Sequence, residues 1–167
     1  AAQAVAVAVE LAGAEEKESV SAAVPVDDGR CFACGPYSAD GLHLDFAAAG
    51  EGAVRAEITL PPRFQGWRGT AHGGIVMTLL DEAMAHACGH IGERGMTASM
   101  QLRFRAAVPL GEPLVVTGTV KWRRRAVIAL DAAVAHADGT VLATAEGSFV
   151  SAGPLGKERL GQSDVRP

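Results

Sequence analysis

Aromatic residues are the first shortage in this 167-residue chain. Phe, Trp and Tyr make up 5% of it while hydrophobic residues as a whole reach 49%, so Ala and Val carry the apolar load and the interior is expected to be rich in small side chains. Positive charge is short as well. A formal net charge of −4 speaks against a general nucleic-acid binder, because a protein that tracks phosphates needs a basic stripe to displace counterions. An anionic ligand would have to meet a local basic patch. Long apolar runs are missing: the longest fall well short of the ~20 residues that cross a bilayer, which points to a soluble chain with no membrane partner. Cysteine is limited to Cys31, Cys34 and Cys88, an odd set that cannot be fully paired, and nothing reads as a secretory leader with a basic start, apolar run and cleavage site. A reducing cytoplasm is the expected location.

What is present is about one domain's worth of chain by length. Residues 1–30 hold no sustained amphipathic period and pass through the charged run Glu15, Glu16, Lys17, Glu18 to Pro25, Asp27, Asp28 and Gly29; they are expected to form a tail, the competing reading being a short docked helix over 5–17. Residues 31–152 form the domain, and 153–167, with Gly, Pro and mixed charges, a second tail. Within the domain, Leu42, Leu44 and Phe46 alternate with His43 and Asp45, and Val54, Ala56 and Ile58 with Arg55, Glu57 and Thr59, which predicts two half-buried strands. A third set, Met100, Leu102 and Phe104, alternates further on, and the segments 114–122, 126–135 and 141–150 lie between turn-like stretches. About six strands and one long helix result.

That helix is predicted over residues 72–88. At about 100° per residue, Ile75, Val76, Leu79, Leu80, Ala83, Met84, Ala87 and Cys88 sweep an arc of about 200°, wider than a surface helix needs, so a sheet should enclose one side and something else touch another. Asp81 stands at one edge of the arc and Glu82 at the other, one turn from His86. The helix opens on His72-Gly73-Gly74. Exposed N–H groups at a helix start polarise a carbonyl oxygen, and a carboxylate in an apolar surround is a candidate base or nucleophile.

The run Gly69-Thr70-Ala71-His72-Gly73-Gly74, followed by Leu80-Asp81-Glu82-Ala83, then Met96-Thr97-Ala98, then Pro109-Leu110-Gly111-Glu112-Pro113-Leu114, resembles the PaaI-type acyl-CoA thioesterases of the 4-hydroxybenzoyl-CoA thioesterase superfamily. The likeness covers about residues 31–150; Cys31-Phe32-Ala33-Cys34-Gly35 with Asp40-Gly41-Leu42 looks like the start of a subset of these enzymes. The resemblance implies an α+β hotdog fold, an antiparallel sheet of about six strands wrapped around one helix. It also implies a homodimer or homotetramer with active sites between subunits, and an acyl-CoA or acyl-carrier-protein substrate hydrolysed without metal or bound cofactor. Carried over by motif, Asp81 is the catalytic carboxylate, the Gly73 N–H polarises the thioester carbonyl, and Thr97 positions Asp81 or water. Many relatives place an Asn ahead of the His-Gly-Gly; this chain offers Gln65, Gly66 and Trp67, with Gln65 the candidate for that role.

Chemistry alone keeps several readings open. Asp81 is either a general base on water or a direct nucleophile forming an anhydride, and outside the motif it would read as an ordinary solvated helix carboxylate. Thr97 is equally a β-branched residue at a strand start. His72 invites assignment as a base, but a hydrogen-bonded role shaping the turn, beside Gly74, is the preferred reading. Glu82 is a reserve acid. Trp67 and Met77 are candidate pocket walls. Lys121, Arg123, Arg124 and Arg125 form the densest basic cluster, at a hairpin, where guanidinium groups suit coenzyme A phosphates. Cys31 and Cys34 have the spacing of half a zinc site with His43 downstream, but the pattern lacks a second half, so no metal is expected. Two rival functions share the fold: a protein that binds an acyl thioester or hydrophobic small molecule without cleaving it, and a dehydratase or cyclase acting on carrier-bound acyl groups.

Overall fold

The computed structural model describes residues 27–155. Almost all of the expected amino-terminal tail, including the alternative helix over 5–17, lies outside them, as do residues 156–167 of the carboxy-terminal tail. Strands β1 (Ala47–Gly50) and β2 (Ala53–Thr59) form a hairpin and lead through a short 3-10 turn (Pro62–Phe64) to helix α1 (Gly73–His90); β3 (Glu93–Phe104), β4 (Pro113–Arg124), β5 (Val127–His136) and β6 (Val141–Pro154) follow. All six strands make one antiparallel sheet in the order β1-β2-β4-β5-β6-β3. Strand β3 crosses the whole sheet to its far edge, where among the described residues only β6 pairs with it. Among the described residues no helix is long and apolar enough to cross a membrane.

The sheet wraps one face of α1, whose Val76, Leu79, Leu80, Ala83, Met84, Ala87 and Cys88 are buried. The alternation of Leu114 and Val116 on β4, of Ile128, Leu130, Ala132 and Val134 on β5, and of Phe149 on β6 faces them. Small residues let the two layers approach. A Cβ at Gly118 of β4 would lie 2.2 Å from the Ala83 carbonyl oxygen, and one at Gly147 of β6 would lie 2.8 Å from Met84 Sδ. The scarcity of aromatic side chains thus has a structural use, since backbone-to-helix contact replaces ring packing in this interior.

One predicted strand is displaced. Residues 42–46 alternate as expected, with Leu42 and Leu44 buried, yet they are not sheet: the Leu42 and Leu44 N–H groups donate to the Phe32 and Ala33 carbonyls at 2.8 and 2.9 Å, and His43 adopts φ +52°. The period-2 burial arises because Leu42 and Leu44 turn into the core while His43 and Asp45 stay exposed, whereas the first paired strand begins at Ala47, where every residue is exposed. Cys31, Cys34 and Phe46 pack on the buried core from the same stretch. The helix is therefore touched on a second side by the chain's own segment 31–46. Strand β6 continues through Gly153 to Pro154, two residues into the segment expected to be tail.

Candidate active site

The loop entering α1 is tied down from both sides. Gly66 N–H donates to the Thr70 carbonyl at 2.9 Å, Thr70 N–H to Trp67 at 2.8 Å, His72 N–H to Phe64 at 2.9 Å and Ala71 N–H to Val108 at 2.8 Å. The Gln65 side-chain oxygen accepts from Gly69 N–H at 3.0 Å. Gly66 must be glycine, since a Cβ there would sit 2.9 Å from His72 Cα. His72 is the N-cap of α1: its Nδ1 accepts the Gly74 N–H at 3.0 Å, which satisfies one of the orphan donors of the helix start. That bond fixes the imidazole in a capping role and leaves Nε2 to carry the proton. Among the described residues no acceptor engages the Gly73 N–H. One donor at the positive end of the helix dipole therefore remains free.

Two turns along the helix, Asp81 is half-buried and its Oδ1 accepts a hydrogen bond from the exposed Thr97 hydroxyl at 2.8 Å. Thr97 lies on β3, the edge strand, so the carboxylate reaches the rim of the sheet and stays out of the core. Gly73 and Asp81 are eight residues apart on one helix, which at ~1.5 Å rise per residue is about 12 Å. A reacting carbonyl has to lie about 3 Å from both its polarising donor and its attacking group. One copy of the chain cannot meet that condition with Gly73 and Asp81 together.

The family model described as Thioesterase superfamily matches residues 68–143, from the helix-entry loop into β6. Over this segment the chain is similar to that superfamily. Over 79 residues the chain is 30% identical to acyl-coenzyme A thioesterase 13 of Homo sapiens, covering 46% of this chain and 56% of that protein; the chain thus spans about half the length of the curated relatives it matches. A solved thioesterase superfamily protein aligns with TM-score 0.70 and 33% identity over 73% of this chain and 60% of the other. The PaaI protein of the Escherichia coli phenylacetic acid degradation operon aligns with TM-score 0.63 and 21% identity over 68% and 82% of the two chains. The fold is the hotdog fold, as the sequence motifs imply.

Around this core the remaining candidates separate into groups. A cleft of about 370 Å³ opens at Gly73, lined by Thr70, Val76, Phe104, Arg105 and Val108. The sequence reading singled out Arg105, with Arg103, as a further candidate contact for coenzyme A, but missed Thr70, Val76, Phe104 and Val108 as wall residues; for Phe104 the signal was an aromatic residue at the exposed end of an alternating strand. Trp67, 86% exposed, and Met77, 44% exposed, do not line that cleft within one chain. Glu82 turns away from Asp81 toward the segment 31–46 and pairs with His86 Nε2 at 3.2 Å, so it is no substitute for Asp81 at the sheet edge. Arg123, Arg124 and Arg125 stand at the β4–β5 hairpin, as expected, with Arg125 at φ +55°. Arg123 is engaged with Glu93 at 2.7 Å and Lys121 with Asp131 at 2.9 Å. Register places the hairpin near Val150, whereas Phe104 beside Gly73 pairs with Ala143. Those levels differ by seven residues along β6, about 23 Å. Within one chain the basic cluster and the Gly73 cleft are at opposite ends of the sheet.

Proposed function

We propose that this protein is an acyl thioester hydrolase acting on acyl-CoA or an acyl-carrier-protein thioester, with each site shared between two copies of the chain. The observation that carries the reading is the pairing of Thr97 with Asp81 at an uncovered sheet edge, while the free Gly73 N–H stands about 12 Å away on the same helix. Two copies related by a twofold axis along β3 would bring Asp81 of one opposite Gly73 of the other. Strand β3 suits such a joint: it is twelve residues long, paired on one side only, and exposes Met96 and Phe104. A bare edge of that length is otherwise an aggregation hazard. Pairing of dimers into a tetramer belongs to the same proposal.

In the proposed reaction the thioester carbonyl takes the place of the missing acceptor at Gly73 N–H, where the helix dipole stabilises the oxyanion. Glycine at the first helical position leaves the approach open. Thr97 holds Oδ1 of Asp81, which leaves Oδ2 to take a proton from water or to attack the carbonyl carbon itself. Single-turnover hydrolysis in oxygen-18 water separates these routes, since only the anhydride route delivers the label into Asp81. His72 shapes the turn beside Gly74, and Gln65 braces it through Gly69. Trp67, Met77, Arg124 and Arg125 are assigned to the acyl and coenzyme A surfaces that the second copy completes.

A thiol-release assay over a panel of acyl-CoA substrates, run on wild type and on Asp81→Ala, tests the proposal; unchanged hydrolysis by the variant would remove Asp81 from the chemistry. Gln65 favours one rival, the non-hydrolytic thioester binder, because its carboxamide oxygen is already held by Gly69 N–H. Saturable acyl-CoA binding with no thiol released would select that rival.

A further inference from the structure

Cys31 and Cys34 take no part in the thioester reading, yet the turn that carries them is closely specified. Gly35 N–H donates to the Cys31 carbonyl at 2.8 Å, and Ala33 N–H points at Cys31 Sγ at 3.4 Å. A Cβ at Gly35 would lie 2.5 Å from both the Cys31 nitrogen and the Gly29 carbonyl oxygen, so the Cys-x-x-Cys-Gly run closes only with glycine last. The turn is held in place by the Leu42 and Leu44 N–H bonds to the Phe32 and Ala33 carbonyls.

The second half of a ligand set, absent from the linear pattern, arrives from the helix. Cys31 Sγ, Cys34 Sγ and a Glu82 carboxylate oxygen all lie within 4.8 Å of one another. One turn further on, His86 Nε2 stands 3.2 Å from Glu82 Oε1, and both side chains are 16% exposed. Glu82 and His86 share a helix face because they are four residues apart. The His86 ring is set against Phe46, centroids 4.7 Å apart.

We propose that Cys31, Cys34, Glu82 and His86 form a four-ligand structural site for a zinc-like divalent ion. Two sulfurs, an imidazole nitrogen and a carboxylate oxygen are the donor set zinc prefers over harder cations. With Zn–S near 2.3 Å and Zn–N or Zn–O near 2.0–2.1 Å, tetrahedral ligands stand ~3.3–3.8 Å apart. The His86–Glu82 separation of 3.2 Å falls just short of that range and the spread of up to 4.8 Å among Cys31, Cys34 and Glu82 exceeds it, so small side-chain rotations would bring the four ligands to tetrahedral spacing. Four protein ligands leave no open position for water, so the ion is structural. It clamps the segment 31–46 onto the helix that carries Asp81, on a different flank from the Thr97 contact. The proposal departs from the sequence expectation that no metal binds, and it is independent of whether the chain hydrolyses thioesters.

The test is titration of the full chain, reduced and stripped of metal, with cobalt(II). Expected are tetrahedral ligand-field bands and a sulfur-to-cobalt charge-transfer band that saturate at a single equivalent and vanish on adding zinc. Cys31→Ser and Cys34→Ser each lose charge-transfer intensity, His86→Gln weakens cobalt binding by roughly 10- to 100-fold, and Cys88→Ser leaves the spectrum unchanged. A cysteine variant that fails to fold is uninformative alone, so the wild-type titration decides. A folded, reduced wild-type chain with no charge-transfer band overturns the site, as does an octahedral spectrum or a band that depends on Cys88. A Cys31–Cys34 disulfide that persists under reductant also overturns it.

Discussion

The Thr97 hydroxyl donates to Asp81 Oδ1 across 2.8 Å and so joins the edge strand to the central helix at the rim of the sheet. This bond orients one carboxylate oxygen and leaves the other free, an arrangement suited to a base or nucleophile whose approach direction matters. Asp81→Ala is expected to lower kcat by about 10³-fold or more, and Thr97→Ala, which removes orientation but keeps the carboxylate, by roughly 10-fold. Thiol-release kinetics measure both, with size-exclusion chromatography confirming that the assembly is retained. Equal losses in the two variants would mean that Thr97 does more than orient.

Gly73 separates folding from function. A Cβ at this position meets only Phe104 Cζ, at an ordinary 3.7 Å, and its backbone is not among the positive-φ positions. Gly73→Val is therefore expected to leave the melting temperature within a few degrees of wild type while cutting kcat/KM by ~10²-fold or more, because the branched side chain occupies the path of the thioester to the free N–H. A variant that hydrolyses normally would exclude this N–H as the polarising donor.

Gly118 shows the opposite behaviour, fold without chemistry. Its absent side chain lets Ala83 of α1 rest on β4, and a methyl group there would stand 2.2 Å from a backbone oxygen that cannot rotate away. Gly118→Ala should lower stability by about 1–3 kcal/mol, within the usual range for overpacking, read from urea denaturation. Full stability in this variant would mean that the helix can lift from the sheet at little cost.

These contrasts mark what the amino-acid order reveals. The helix was legible because its apolar residues recur at helical spacing, and five of the seven buried ones on that face are larger than alanine. Strands β4, β5 and β6 were legible because their alternation faces that helix. Strand β3 showed its alternation only from Met100, with Thr97 read as a strand start, although it begins at Glu93: in its first half Thr97, Ala98 and Ser99 are all exposed and no burial imposes an apolar rhythm. Alternation at 42–46 misled because a segment held by the turn at Phe32 and Ala33 buries Leu42 and Leu44 and exposes His43 and Asp45 just as a strand would. The convergence of Cys31, Cys34 and Glu82 was hidden by some fifty residues of intervening chain, which only the folded turn and helix bring together.

Cys88 supplies a pH-dependent prediction independent of the active site. It is fully buried, tight enough that a Cβ on Gly95 would come within 2.6 Å of its sulfur. Burial, with the negative charge of nearby Glu93 adding to it, pushes its thiol from 9.0 up to about 12. The native state therefore prefers the neutral thiol, and the folded pKa lies above the unfolded one. Its contribution to stability is complete below about pH 9, and is lost as the pH rises from there through the folded value near 12. By about pH 10 the unfolded chain gains about 1–2 kcal/mol from ionising this thiol. Urea unfolding followed from neutral to about pH 10 should show a steeper alkaline decline for wild type than for Cys88→Ala, which starts less stable because of the space it leaves but lacks the titrating group. Parallel declines in the two proteins would show that Cys88 ionises as easily in the fold as outside it.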